Sequence, residues 1–125
     1  MDKRFLLCAV FFLAFASCFA HAKGFEFSNV GVDYVIGPDG TVNVSEVLTF
    51  DFSGSYTYAY RNLAAGSWVY SDEAVFEKQP DGSLSAAAFT KSSEGSATRL
   101  GWSFAAADEN KTFVIRYTIR NVINA

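Results

Sequence analysis

Residues 30–52, VGVDYVIGPDGTVNVSEVLTFDF, carry two runs of alternating side chains joined by a turn. Val30, Val32, Tyr34 and Ile36 fall two apart, with Gly31, Asp33 and Val35 between them. Successive side chains of an extended strand point to opposite faces, so this spacing places the first four on one face. Gly37-Pro38-Asp39-Gly40 follows, where proline presets φ for a turn and glycine accepts a positive φ. Alternation then resumes, with Val42, Val44, Leu48, Phe50 and Phe52 on one face and Asn43, Ser45, Thr49 and Asp51 on the other. The stretch reads as an antiparallel hairpin.

One residue breaks the second run. Glu46 shares the face of Val42, Val44, Leu48 and Phe50, where a lone ionised carboxylate is expensive. Buried charges in native proteins are usually paired. Arg61 is the nearest plausible partner in sequence, and the two are expected to form a structural ion pair. The rival reading is a β-bulge that turns Glu46 to solvent.

Further along, Ser53-Gly54-Ser55 interrupts the pattern and Tyr56, Tyr58 and Tyr60 alternate on the next segment. Trp68-Val69-Tyr70 follows a glycine-containing loop. Residues 73–78 and 83–89 flank Pro80-Asp81-Gly82 and suggest a second hairpin. Residues 90–97 are small and polar, which suggests a loop. Residues 99–105 and 112–123 bracket Asp108-Glu109-Asn110-Lys111 as a third hairpin, with Phe113, Ile115, Tyr117 and Ile119 facing the core and Arg116, Thr118 and Arg120 facing water. No amphipathic helix is found. The expected fold is all-β, an antiparallel β-sandwich of about six to eight strands.

Upstream, residues 1–22 have the order of a cleavable, helical signal peptide. Lys3 and Arg4 precede an unbroken apolar run over residues 5–15, and Ala20-His21-Ala22 supplies small residues before a cut. Residues 5–20 are too few for a membrane anchor, which needs roughly 20. A lipoprotein signal, with Cys18 lipidated after Ala16-Ser17, is the alternative. Residues 23–125 form the expected ectodomain. Both cysteines, Cys8 and Cys18, and the single histidine, His21, precede Lys23, so the ectodomain can form no internal disulfide.

Half the residues are hydrophobic and 17% are aromatic, which suits a packed core rather than disorder. From Lys23 onward eight basic and twelve acidic residues give a net charge of −4. With no Lys/Arg cluster, the domain lacks the footprint that phosphate backbones require, and nucleic acid is set aside.

The absence of His and Cys beyond residue 22 removes Ser-His-Asp and Cys-His nucleophilic arrangements and Cys/His zinc sites. Carboxylate catalysis needs only two acids, and Glu46, Asp51, Asp72, Glu73, Asp108 and Glu109 are available, but most fall in turns or on wet faces. Asp108-Glu109-Asn110 lacks the spacing of a calcium loop. No catalytic, metal or cofactor site is expected, and the chain is read as a non-enzyme. Tyr56, Tyr58, Tyr60, Trp68, Tyr70 and Trp102 could form a platform for sugar rings or a peptide, or could fill the core. Asn43-Val44-Ser45 and Asn110-Lys111-Thr112 match the glycosylation triplet but decide nothing, since such triplets recur by chance.

The segments VGVDYVIGPDGTVNVSEVLTFDFSG, then Arg61, then TRLGWSF and FVIRYTIRNVI, are similar in order and spacing to a bacterial family. The chain resembles the N-terminal domain of predicted membrane proteins grouped as domain-of-unknown-function family 2207. Asp39-Gly40, Val44-Ser45-Glu46, Phe52-Ser53-Gly54, Arg61 and Leu100-Gly101 fall on its motifs, whereas Asn62-Leu63 stands where members often carry Ile-Pro. The resemblance implies an extracytoplasmic domain of a membrane-anchored envelope protein, without a biochemical activity. Such proteins continue into further strands and membrane helices, so the chain is expected to be a C-terminally truncated piece whose anchor lies downstream. Its last strand would then lie beside an unprotected edge. A protein or glycan of the envelope is the expected partner. The alternative is a secreted glycan- or peptide-binding module that uses the aromatics.

Overall fold

Alternation in the sequence becomes eight strands and, among the described residues, no helix. A computed structural model describes residues 24–120. The signal peptide, Cys8, Cys18, His21 and the end of the last predicted strand lie outside them.

The first hairpin joins β1 (Gly24–Ile36) to β2 (Val42–Ser53). It extends to Gly24 opposite Ser53, with one irregularity between Phe27 and Asn29. Its turn is held by chemistry local to the Pro-Asp-Gly sequence. Gly40 takes φ 85° and donates its N–H to Gly37 at 3.0 Å. The Asp39 carboxylate accepts from the Thr41 hydroxyl at 2.7 Å and the Thr41 N–H at 3.1 Å, and these bonds lower its pKa. Pro80-Asp81-Gly82 repeats the device between β4 (Val69–Lys78) and β5 (Leu84–Ala87), with Gly82 at φ 89° and Asp81 bound to Ser83.

The remaining strands are β3 (Ser55–Leu63), β6 (Phe89–Glu94), β7 (Ala97–Ala107) and β8 (Asn110–Arg120). They assemble into two antiparallel sheets, ordered β1-β2-β8-β4-β5 and β3-β7-β6. The chain changes sheet four times, between β2 and β3, β3 and β4, β5 and β6, and β7 and β8, the first at Gly54 and the last at Asp108 and Glu109. The first and last crossings are tied together: the Asp108 carboxylate accepts the Gly54 N–H at 2.7 Å, Asp108 returns its own N–H to Gly54 at 3.1 Å, and Phe52 donates to the Glu109 carbonyl at 3.0 Å.

Three readings of the sequence are corrected. The segments expected to form a third hairpin are consecutive strands of different sheets, because the turn at Asp108 hands the chain across the sandwich. Residues 90–97 are mostly strand: β6 is an edge strand held by backbone pairing to β7, which small polar side chains allow. The Trp68-Val69-Tyr70 segment is not separate from residues 73–78, since Val69–Lys78 is one strand with an irregularity between Ser71 and Ala74 and Asp72 at φ 55°. In addition, β8 lies between β2 and β4 in the middle of its sheet, not beside an unprotected edge.

The core is the facing apolar rows of the two sheets. Val42, Val44, Leu48, Phe50 and Phe52 of β2 and Phe113, Ile115, Tyr117 and Ile119 of β8 meet Tyr56, Ala59 and Leu63 of β3 and Leu100, Trp102 and Ala106 of β7. Phe113 is central, with its ring centroid 5.4 Å from Trp102 and 5.1 Å from Phe104, both on the opposing sheet. Phe113→Ala should lower the unfolding free energy by about 3–5 kcal/mol, read from the urea midpoint at unchanged slope. A loss comparable to that of a surface substitution would contradict this packing.

Candidate functional site

Arg61 reaches the interior because β3 breaks its own alternation. Tyr56 faces the core, but the β3–β7 register shifts between Tyr56 and Tyr58. Inward positions resume at Ala59, Arg61 and Leu63. Had the period continued from Tyr56, Tyr60 would point inward and Arg61 outward. There is thus an irregularity near the pair, but it turns the arginine in rather than the glutamate out. The β2 row runs unbroken from Val42 to Phe52 with Glu46 among the buried positions.

The two side chains meet between the sheets. Arg61 Nε donates to Glu46 Oε1 at 2.9 Å and Arg61 Nη2 to Oε2 at 3.0 Å, a bidentate pair with side chains only 2% and 1% exposed. Arg61 Nη1 donates to the Asn62 carbonyl. Tyr117 of β8 donates its hydroxyl to Glu46 Oε2 at 2.5 Å. Tyr70 stands edge-on to Tyr117 at 5.6 Å, gives its hydroxyl to the Ala64 carbonyl at 2.7 Å and receives the Trp68 indole N–H at 2.8 Å. The Trp68–Tyr70–Ala64 hydrogen bonds thus stand beside the ion pair, in ring contact with Tyr117.

Burial works against the charge of Arg61, but the adjacent Glu46 carboxylate outweighs it and raises the pKa, so the guanidinium stays charged. Burial, with the negative charge of Glu46 acting in the same direction, holds the Tyr117 phenol well above 10.0. Burial also raises Tyr70. Arg61, Tyr117 and Tyr70 thus all hold their protons at neutral pH, and the cluster fastens the two sheets to each other.

The aromatics do not form one platform. Tyr56 and Trp102 are in the core, while Trp68 and Tyr70 are half-buried beside the ion pair. Tyr58 and Tyr60 leave the face of Tyr56 because of the register shift: Tyr58 is exposed, and Tyr60 lies under the Arg99 guanidinium at 3.9 Å. The acids are dispersed as well. Glu73 binds Lys91 at 2.6 Å, Asp72 stands 3.9 Å from Arg120, Asp108 caps Gly54, Glu109 accepts the Ala107 N–H at 3.1 Å, and Asp51 is exposed. Among the described residues no cluster of three or more His, Cys, Asp or Glu could hold a metal ion. Of the glycosylation triplets, Asn43 accepts the Thr118 hydroxyl at 2.9 Å across the outer face of β2 and β8.

Tyr117 was legible only as a core residue. A phenol in an inward apolar row needs a partner for its hydroxyl, and that requirement was the available signal for a third member of the network.

These features define a two-sheet antiparallel β-sandwich domain clamped by a buried Glu–Arg–Tyr cluster. The family model described as "Predicted membrane protein (DUF2207) N-terminal domain" matches residues 26–125, and the chain belongs to this family. A search of the curated proteins gives no match. Among solved structures, the fibre head protein of bovine atadenovirus type 4 is similar at 14% identity, over 81% of this chain and 100% of that one, with a TM-score of 0.37.

The cluster sets two expectations. Glu46→Ala and Arg61→Ala should each cost about 3–5 kcal/mol, since each leaves an uncompensated buried charge. The double variant should cost clearly less than the sum, with the coupling read from a cycle of urea unfolding curves. Coupling near zero would mean that the pair is not formed in solution.

Stability should also depend on alkaline pH through Tyr117. The unfolded chain releases this proton near 10.0, whereas the folded one retains it. The contribution is fully present below that pH and is lost as pH rises through the folded value. Melting temperatures measured from neutral to alkaline pH should fall less steeply for Tyr117→Phe than for the parent; identical slopes would contradict the burial of this phenol.

Proposed function

We propose that this chain is a non-enzymatic, extracytoplasmic domain of a membrane-anchored cell-envelope protein, exported by residues 1–22 and cleaved after Ala22. The observation that carries the reading is the order of a charged start, a short apolar run and Ala-His-Ala directly ahead of a cysteine-free sandwich. Membership of a family described as predicted membrane proteins supports membrane attachment of the whole protein. The absence of cysteine beyond Cys18 suits an oxidising compartment, where a free thiol is a liability. A non-enzymatic role is favoured because the buried carboxylate is bound to Arg61 and Tyr117, and the other acids serve turns and ion pairs. The partner on this reading is a protein or glycan of the envelope.

Fusing alkaline phosphatase to the C-terminus and measuring the mass of the exported product tests both halves of the claim. Phosphatase activity with a chain beginning at Lys23 is expected. An inactive fusion that retains Met1 would overturn export, and a product lipidated at Cys18 would replace the cleavage site with a lipoprotein signal.

A further inference from the structure

The outer face of the five-stranded sheet carries a groove that crosses β1, β2 and β8. It is lined by residues 33–35, 43–45 and 116–118 of these strands and by Asp72 of β4, and it encloses about 390 Å³. That volume lies within the range of about 300–1,000 Å³ typical of small-molecule sites. Side chains alternate along a strand. The middle residue of each triplet therefore turns to the core, as the burial of Val44 and Tyr117 shows, and the other two project outward. Register fixes two outward rows across the sheet, Asp33, Ser45 and Arg116 in one and Val35, Asn43 and Thr118 in the other. Short side chains at Ser45, Asn43 and Thr118 keep the middle low. Asp33 and Val35 stand at the β1 end, Arg116 and Asp72 at the opposite end.

Two observations set this groove apart from an ordinary wet sheet face. The first is a pair of opposite charges that do not meet. Arg61, Lys91, Arg99, Lys111 and Arg120 each reach a carboxylate, whereas Arg116 reaches none among the described residues. Asp33, in the same row, likewise meets no cation among them. The two lie two strands apart, about 9–10 Å between backbones, and Arg116 leans the other way, its guanidinium over the Phe76 ring of β4 at 5.1 Å. A guanidinium held on a ring keeps N–H groups for a carboxylate. The second observation is Asp72, which takes φ 55° at the irregularity in β4. That conformation is uncommon for a residue other than glycine and tends to gather at binding sites. Asp72 stands 3.9 Å from Arg120, so it does not neutralise Arg116.

From these groups we infer that the groove on the outer face of β1, β2 and β8 binds a small zwitterion, with its carboxylate on Arg116 and its ammonium on Asp33. The span suits a free amino acid or a dipeptide laid end to end, which share one ammonium and one carboxylate. Between the two ends Ser45 offers a hydroxyl. Asn43 accepts the Thr118 hydroxyl at 2.9 Å and keeps its amide N–H groups as donors. Val35, 67% exposed at the rim, gives a small aliphatic side chain an apolar contact. A purely anionic ligand would meet Asp33 and Asp72, and a purely cationic one would meet Arg116, so both classes are disfavoured. This inference goes beyond the export reading and stands without it.

Nuclear magnetic resonance of the isotope-labelled chain tests this at neutral pH, through the backbone amide peaks of Ser45, Arg116 and Thr118. The chain is titrated with L-alanine and L-alanyl-L-alanine, and with the N-acetylated and C-amidated form of each. Saturable movement with alanine or with the dipeptide is expected, and the one that binds identifies the source. The acetylated form lacks the ammonium and the amidated form lacks the carboxylate. Each should bind about tenfold more weakly or worse, the measure of one charged hydrogen bond. Arg116→Gln should weaken the zwitterion by the same factor and erase its advantage over the amidated form. Asp33→Asn should erase its advantage over the acetylated form. Both side chains are exposed, so neither substitution disturbs the core, and unchanged peaks elsewhere verify this. No saturable movement with either zwitterion, equal affinity for the capped forms, or full affinity in both variants would overturn the inference.

Discussion

A carboxylate and a guanidinium taken out of water between two apolar sheets must satisfy each other, and the position of the sheets follows from that demand. Glu46 belongs to the five-stranded sheet and Arg61 to the three-stranded one. Desolvation of two charges is repaid only when the geometry is good and the remaining lone pairs are used. Here the fork is bidentate, Tyr117 takes a further place on the carboxylate and the Asn62 carbonyl takes Nη1. Apolar rows tolerate small displacements against each other, whereas a buried fork does not. The pair therefore selects one alignment of the sheets among those that hydrophobic burial alone would permit.

The rest of the domain is arranged to make that contact available. The register shift in β3 converts an outward position into the inward position of Arg61. The same shift sends Tyr58 and Tyr60 to the outer face, where Arg99 covers one and Gly101 seats the other. Where β2 passes to β3 and β7 to β8, Gly54 and Asp108 lock the first and last sheet crossings to each other. The sandwich is thus pinned at one end by backbone and carboxylate hydrogen bonds and in its interior by the ion pair.

Much of the fold is written locally, and what is local was legible. The first hairpin follows from alternation and a Pro-Asp-Gly turn, and Glu46 announces a partner by breaking an apolar row. Non-local choices left weaker traces. Nothing in residues 99–120 distinguishes a hairpin from a crossing between sheets, because both need two alternating strands and a turn; the deciding bond runs to Gly54, far away in sequence. Strand β6 is invisible because Thr90, Lys91, Ser92, Ser93 and Glu94 have no apolar rhythm and are held by backbone pairing. The split of the tyrosine stripe was hidden for a related reason, since a register shift depends on the partner strand. Trp102 is the core aromatic that alternation suggests, whereas Tyr117 joins the buried cluster through a hydroxyl that no pattern marks.

Family membership and fold describe a two-sheet antiparallel domain organised around its buried interior. The buried cluster joins the two sheets and so organises the sandwich. The most direct test of the central claim is solvent exchange at the Arg61 Nε–H, followed by nuclear magnetic resonance under native conditions. If the pair pins the sheets, this proton should exchange only through global unfolding, with the same free energy as the core amides of β2 and β8. Exchange as fast as that of an exposed arginine would contradict the account.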